Sequence, residues 1–417
     1  MKHRESKHLQ FSPFRSADPP GFALETGRKF CYSIHILFRK GGPGLRLFRF
    51  LWALVCCGLS AALLLGFLTG TQGDAAGADT VNLNVGQVFS QQVEDQLSDV
   101  LEGILPIRRV YRLSDSTLVA PKANPACYGE VSSPEEMLPV IAQAEVLLDG
   151  QSTFFTGKTP VREDRPIRYY LDDTLFTVTW KQPVADSLYT FAEVKIAHAS
   201  QFRRFFSRGR YGSSVFFTPT HMSRSVNAVL ASSGDFHGYR EIGIVVNNGQ
   251  VYRDRGHFLD TCYIDENGDL LFTMAGEITD METAQKFVDE HKVRFSISFG
   301  PLIIREGECC VPEKYNSGEI HENYVRAALC QLGPLHYLLV VANTEAPYHS
   351  LPTMEEFASS LQALGVETAY CLDGGQTAAI ALDHQLINPV SYGVEREISD
   401  ILYFATALPE ESWEAAE

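Results

Sequence analysis

A single carboxylate, Asp373, stands between the apolar residues Tyr370, Cys371 and Leu372 and two glycines in the stretch "YCLDGGQTAAIAL". Two readings fit those residues. Asp-Gly is a strong pair for a tight hairpin turn. Alternatively, the glycines let backbone N–H groups approach an anion while the carboxylate works beside it. The residue types leave both open. A second concentration of chemistry is "QFRRFFSRGRY", with Arg203, Arg204, Arg208 and Arg210 among aromatics. Such a run is expected as a solvated helix face, with a rim that attracts an anionic glycan as its alternative. A third, Asp265 to Asp269 in "CYIDENGDLLFT", has the look of a calcium loop but lacks the full spacing and the terminal Glu, so a hairpin is expected. Neither a P-loop, an HExxH helix, a GxSxG elbow nor a CxxC pair occurs, and nothing in the spacing requires a metal ion or other cofactor.

Asp373 has to be positioned by what surrounds it. "TMEEFASSLQALG" places Thr353 and Glu356 at capping-box spacing, puts Met354, Phe357, Leu361 and Leu364 on one face and stops at Gly365, which predicts a helix. "VETAYCL" then reads as a buried strand with Asp373 at its C-terminal end, and "QTAAIAL" starts a new extended run. Farther upstream, Ser133 can cap a helix in "SPEEMLPVIAQAEVLLDG", with Pro134 in its first turn and Gly150 after its end. "IGIVVNNGQVYR" centres on Asn248-Gly249 and "CYIDENGDLLFT" on Asn267-Gly268, both hairpin signals. "IRYYLDDTLFTVTWKQ", "LYTFAEVKIAHA", "VRFSISFG" and "LHYLLVVAN" read as further strands.

The 417 residues carry a formal charge of −16, sorted around one apolar run. Residues 50 to 70, "FLWALVCCGLSAALLLGFLTG", hold no charge, and about 20 helical residues span a bilayer core. Ten Lys or Arg against three acids precede that run, which predicts a cytoplasmic N-terminus and an exported C-terminal portion. An uncleaved anchor is expected in preference to a signal peptide processed near "AAGA" at 75–78. The residues after Gly70 carry 25 basic and 48 acidic side chains, a charge of −23, which argues against a nucleic-acid partner. The expected organisation is a basic tail over 1–49, the transmembrane anchor over 50–70, a stalk and helical region over 71–165 with an amphipathic helix at 88–104, a main domain over 166–408 and an acidic tail over 409–417. Nine cysteines are present, six of them after the anchor, and their spacing fixes no pairing.

Several blocks resemble the phosphodiester glycosidase family, which includes a lysosomal enzyme that removes N-acetylglucosamine from a phosphodiester. Cys371 to Thr377, "CLDGGQT", is similar to that family's Asn-Leu-Asp-Gly-Gly-Gly-Ser, and "RAALCQLGPLHYLLVV" from Arg326 to its Arg-Thr-Ala-Ile-Gly segment with the Gly-Pro-Leu-His that follows in bacterial members. "ASSGDFHG", Ala231 to Gly238, is similar to the block Ala-Val-Asn-Gly-Asp-Tyr-Tyr-Gly. "SFGP" at 298–301 and the closing "EREISDILYF" also agree. The resemblance covers about the C-terminal 240 residues and implies an α+β, mixed α/β domain with a strongly curved mixed sheet and packed helices, here preceded by one N-terminal transmembrane helix.

The resemblance also implies a reaction and its residues. A sugar joined through its anomeric carbon to a phosphodiester releases a phosphate monoester, a weak base whose charge needs stabilising more than it needs a proton; Arg326 and the glycine backbone suit that task. The oxocarbenium-like centre needs a carboxylate as nucleophile or as base for water, with Asp373 and Asp235 as candidates. His336 and His237 are candidate proton carriers, with a hydrogen-bonded structural role as the alternative for His336. Ser233, Gly234, Gly374, Gly375, Gln376 and Thr377 complete the implied binding set, and Glu395 and Arg396 are read as supports for the site or an edge-strand ion pair. The family's two Asn positions are Ser233 and Cys371 here, its third glycine is Gln376, and His349 and Leu351 replace Ser and Gly. These departures imply altered substrate choice or binding without turnover. The expected function is therefore an exported hydrolase of glycosyl-1-phosphodiester bonds in surface polysaccharide, acting on a carbohydrate phosphodiester partner and held to the membrane through residues 50–70. The alternatives are a non-catalytic glycan-binding or assembly factor on the same fold and an enzyme that cuts ordinary glycosides.

Overall fold

Alternating side chains build three antiparallel sheets, and each sheet end ties into the next. The structure, a computed structural model, describes residues 111–413 except 149 and 317–319, all within the unit Leu105–Glu417. Along the chain come β1 (Tyr128–Val131), α1 (Pro134–Leu147), β2 (Ile167–Leu171), β3 (Leu175–Val184), β4 (Ser187–Ile196) and β5 (Phe202–Phe206). Next are α2 (Pro219–Ser225), β6 (Leu230–Ser233), β7 (Gly243–Asn247), β8 (Gln250–Arg255), β9 (Thr261–Ile264), β10 (Leu270–Thr273) and α3 (Met281–Glu290). The remainder is β11 (Phe295–Ile297), β12 (Leu302–Arg305), β13 (Glu308–Cys309), β14 (Arg326–Gly333), β15 (His336–Asn343), α4 (Met354–Ala363), β16 (Thr368–Leu372), β17 (Ile380–Leu382), β18 (Gln385–Leu386) and β19 (Asp400–Phe404).

The large sheet has the order β1-β2-β3-β4-β15-β14-β16-β12-β13, the second β10-β9-β11-β7-β8 and the third β18-β17-β6-β19-β5. Every pairing between these strands is antiparallel. The expectation of helices packed on sheet holds, but among the described residues the single mixed sheet is replaced by three antiparallel ones. The physical reason is that short hairpins join seven of the sixteen neighbouring strand pairs, and antiparallel strands need no long crossover.

The large sheet is apolar on both faces. Along β15, Tyr337, Leu339 and Val341 face the core shared with the other two sheets, whereas Leu338, Val340 and Ala342 face the helical layer. That helical layer consists of Met137, Ile141 and Ala144 of α1 together with Met354, Phe357, Ala358 and Leu361 of α4. The shared core joins Tyr370 of the large sheet, Phe295 and Ile297 of the second, and Phe202, Leu402 and Phe404 of the third. Removing apolar surface from water at about 25 cal/mol per Å² is what docks the sheets.

Local chemistry sets the ends. Ser133 caps α1 with Pro134 at its start. Thr353 and Glu356 form the capping box of α4, and Gly365 beyond it takes φ +89°. Asn248 and Gly249, at φ +49° and +73°, turn β7 into β8 as the hairpin signal predicts. In the turn from β9 to β10 the Asp265 carboxylate accepts from the Asn267 and Asp269 amides, so it serves the turn, and no group of metal-binding side chains occurs among the described residues.

Two expectations change. Residues 202–206 are the strand β5 instead of a solvated helix, and Arg203 and Arg204 are buried. The Arg203 guanidinium donates to the Tyr403 hydroxyl at 3.0 Å and to the carbonyls of Ser114 and Thr117. Asp373-Gly374 is no hairpin, because β16 belongs to the large sheet and β17 to the third. The expected anchor at 50–70 and the helix at 88–104 lie outside the described residues. Among the described residues no helix is long and apolar enough to cross a membrane.

Candidate active site

The switch from one sheet to another at residues 373–379 opens a cavity of about 610 Å³. Phe236, Arg240, Phe299, Tyr324, Arg326, Asp373, Gln376, Tyr392 and Arg396 contribute to its lining, and among the described lining residues Asp373 is the only acidic one. The aspartate sits just beyond Leu372, which pairs with Ala327 of β14, so the neighbouring strand delivers Arg326 to the same rim. Past Asp373 the chain can turn only because of its glycines. A Cβ on Gly374 would lie 2.2 Å from the Val325 carbonyl oxygen, and Gly375 has φ +62° with the Tyr324 hydroxyl against its open side. The Gly375 N–H donates to that Val325 carbonyl at 3.0 Å, so this amide holds the turn together. Thr377 is buried and its hydroxyl donates to the Gly374 carbonyl at 2.6 Å.

Asp373 is half-buried, and its pKa is pushed up to about 7. Burial is the main cause; the nearby Asp235 adds to it, and the Thr377 hydroxyl, Arg240 and Arg396 work against it. Near neutral pH the group therefore populates both proton states, as a proton acceptor in catalysis requires.

The cations around Asp373 differ from those expected. Arg326 lines the cavity, but its Nη2 donates to the Glu322 carbonyl at 2.6 Å and its Nε to the Pro352 carbonyl at 3.4 Å. Its guanidinium thus braces the segment leading into α4. Arg240 and Arg396 are the cations that sequence reasoning passed over or left as supports. The Arg240 guanidinium carbon lies 4.9 Å from the Phe299 ring centroid and 5.9 Å from that of Phe236; Arg396 lies 5.4 Å from Phe236 and 4.9 Å from Tyr239. Two guanidiniums thus share the Phe236 ring. The motif block ends at Gly238, two residues short of Arg240, and Glu395 with Arg396 reads in sequence as support for the site or as an edge-strand ion pair.

Asp235 does not reach the cavity lining. Its fully buried carboxylate accepts from the Ser298 N–H at 2.9 Å and lies 3.6 Å from both Arg204 and Arg240. Burial opposes its charge, but Arg204, Arg240 and His237 outweigh it and hold the group below the ordinary carboxylate range. Arg204 in turn donates from Nε to Asp400 at 2.6 Å. The buried chain Asp400, Arg204, Asp235 and Arg240 therefore runs from β19 and β5 to the cavity wall, and Asp235, expected beside Asp373, lies behind Arg240 instead. His237 belongs to the same buried cluster, 3.2 Å from the Ser399 hydroxyl and 3.4 Å from Asp400. Ser233 and Gly234 are also inside: the Ser233 Oγ accepts from the Ala379 N–H at 3.4 Å, and a Cβ on Gly234 would press on Asp400 at 2.7 Å.

His336 lies elsewhere. It pairs with Gly333 at the far end of β14 from Arg326, a separation on the order of 20 Å at the usual rise per strand residue. Its Nε2 is 2.6 Å from Glu193, whose two oxygens also accept from the Phe154 and Phe155 amides. This histidine, expected as a proton carrier or a hydrogen-bonded structural residue, is hydrogen-bonded to Glu193 and is not brought to the cavity. Glu395 accepts from the Thr220 amide and hydroxyl, which fixes the start of α2. Cys371 faces α4 and lines the cavity; burial pushes its thiol up to about 12, so it is neutral.

No curated protein matches the sequence. Among solved structures, the catalytic domain of zebrafish N-acetylglucosamine-1-phosphodiester alpha-N-acetylglucosaminidase, auto-inhibited by its pro-peptide, is similar at 15% identity over 63% of this chain and 93% of that one, with a TM-score of 0.47. A hypothetical protein from Synechocystis is similar at 14% identity over 60% of this chain and 64% of its own, with a TM-score of 0.41. The family model for phosphodiester glycosidases matches residues 225–405, the stretch that contains Arg240, Arg326, Asp373 and Arg396. Over those residues the chain resembles the phosphodiester glycosidase family.

Proposed function

We propose that this domain hydrolyses glycosyl-1-phosphodiester bonds, with Asp373 as the base and Arg240 and Arg396 as the phosphate clamp. One observation carries the reading: two guanidiniums are held against the single Phe236 ring, with Asp373, the one carboxylate among the cavity's described lining residues, beside them. Like charges so placed repel unless an anion lies between them, and among the described residues Asp235, behind Arg240, is the one acid ion-paired with either. A phosphodiester supplies that anion, and planar guanidiniums match its oxygens.

The chemistry follows from the charges. Water adds to the anomeric carbon as the bond from that carbon to the phosphoryl oxygen breaks. The bonding electron pair leaves with the phosphate monoester, which Arg240 and Arg396 stabilise. The water proton passes to Asp373 and from there to solvent. A phosphate monoester is a good leaving group without protonation, since its second pKa is about 6, so one carboxylate suffices where ordinary glycoside hydrolysis uses two. Such a single displacement inverts the anomeric configuration. The apolar wall of Phe236, Phe299, Leu351 and Met354 keeps bulk water from the ion pairs, which strengthens them.

The finer reading is that the domain is exported, acts on cell-surface or exopolysaccharide material and is tethered by residues 50–70. It is supported by the uncharged run and by the charge sorting on either side of it. The test of turnover is release of free sugar from a panel of defined sugar-1-phosphodiesters by the purified protein. Release that is lost in Asp373→Asn and weakened in Arg396→Ala supports the reading. Binding of the same compounds without release would overturn it in favour of a glycan-binding module.

A further inference from the structure

A second, smaller cleft lies apart from Asp373, and the proposed hydrolysis does not use it. It holds about 210 Å³ and is lined by Arg165, Arg168, Thr179, Lys181, Thr190 and, from the third sheet, Leu386. Strand register brings its polar residues together. Arg168 of β2 pairs with Thr179 of β3, and Lys181, two residues on, pairs with Thr190 of β4, so all four share one face of the large sheet. Trp180 and Phe191 take the other face, in the helical layer. The row through Thr190 continues to Val341, Ala327 and Leu372. Three strand spacings of about 4.8 Å set the cleft roughly 15 Å from Leu372, the residue before Asp373.

Two observations mark this cleft as a site. Thr190 is 1% exposed, and its Oγ1 has no hydrogen-bond partner among the described residues, which costs about 1 to 3 kcal/mol for a buried polar group. Arg168 is half-buried, and among the described residues its guanidinium makes no ion pair; Glu130, opposite it on β1, is exposed. The neighbouring cations are shared out. Arg165, Lys181 and Arg162 lie 2.7, 2.9 and 3.0 Å from the one carboxylate of Glu345, and Arg162 also pairs with Asp164. Four cations thus stand against two ion-paired carboxylates, in a chain whose charge after Gly70 is −23. Positive charge gathered against that trend draws anions to the cleft.

We infer that this cleft is a second ligand site, for a phosphate-type oxyanion. Such an anion accepts from the Thr190 hydroxyl and from the planar fork of Arg168, with the charges of Lys181 and Arg165 alongside. The volume is below the span of about 300 to 1,000 Å³ usual for drug-sized ligands, so the cleft suits one phosphate group and has no room for an oligosaccharide. A cation would meet like charges there, and an apolar group would leave Thr190 and Arg168 unpartnered.

The test is calorimetry on the full-length protein carrying Arg396→Ala, which takes a cation out of the first cavity. Inorganic phosphate and a hexose 6-phosphate are titrated separately at one ionic strength. Phosphate binding is expected to persist in this background. Adding Arg168→Met should weaken it about ten- to hundredfold, the worth of a charged hydrogen bond, and adding Thr190→Val about three- to tenfold. Thr190→Val is nearly isosteric and removes an unpartnered hydroxyl, so its melting temperature without phosphate should match or exceed that of its parent, which keeps the test readable if Arg168→Met folds poorly. Phosphate binding that vanishes in Arg396→Ala alone, or that both added substitutions leave unchanged, would overturn the site. Tighter binding of the hexose phosphate than of phosphate makes a phosphorylated saccharide the ligand, and equal or weaker binding makes it the free ion; either result, with the losses above, supports the site.

Discussion

Replacing Asp373 by Asn separates the cost of burying this carboxylate from its proposed use as the base. Each tenfold change in proton affinity is worth about 1.4 kcal/mol, so lifting the carboxyl from 3.8 to about 7 puts up to roughly 4 kcal/mol on the folded state at high pH. Partial exposure to the cavity trims that figure. The sign follows from which state holds the proton. Below pH 4 the group is protonated whether the chain is folded or not, and nothing is lost. Between 4 and 7 the unfolded chain releases the proton while the folded one keeps it, so stability falls as pH rises; above 7 the deficit is complete. Asn carries no charge to bury. The stability gain of Asp373→Asn over wild type should therefore be near zero at pH 4, grow through pH 5 and 6, and level off above 7 at about 2 to 4 kcal/mol. Denaturant melts of both proteins across this range, followed by the fluorescence of Trp180, which is buried against Phe155 and Phe191, measure it. A gain that is flat with pH, or a loss that deepens as pH rises, would refute the argument that burial dominates the environment of Asp373.

Further outcomes are expected. The acid limb of kcat/KM for sugar release should rise through pH about 7 as Asp373 ionises, and His336→Asn should leave that limb in place while lowering the melting temperature, because its partner Glu193 lies at the other end of the sheet. Arg396→Ala should raise KM about ten- to hundredfold, the usual worth of a charged hydrogen bond, with smaller effects in high salt. Arg204→Met should cost about 3 to 5 kcal/mol in denaturant melts, since it strands Asp400 and Asp235 in the interior. Gly374→Ala should abolish activity ahead of stability, because its Cβ would push Val325 off the turn that carries Asp373; an active alanine variant would show that the turn can shift freely.

The local signals were the legible part. Thr353 with Glu356, Ser133 with Pro134 and Asn248-Gly249 are spacings whose chemistry is complete within a few residues, and the structure forms each as expected. Asp373 with its glycines was legible too, as one question with two answers: the residues make a turn, and that turn builds the cavity. What the chain did not disclose depends on distant pairing. Arg204 looked solvated because its partner Asp400 is 196 residues away. Asp235 looked like a second catalytic acid because its pairing with Arg204 needs β5 and β6 to flank β19 in the third sheet, which no local spacing shows. Arg326 looked like a phosphate ligand until the carbonyls of Glu322 and Pro352 were seen to occupy it.

The cavity draws one wall from each of the three sheets: Asp373 follows β16, Arg240 precedes β7 and Arg396 leads into β19. The proposed activity is then a readout of docking more than of secondary structure. A chain whose strands have formed but whose sheets have not closed on their shared core holds every residue of the cavity and no cavity. Warming or mild denaturant should silence the protein while its circular dichroism still looks native, and a nascent chain should stay inert until its last strand, β19, has found its place.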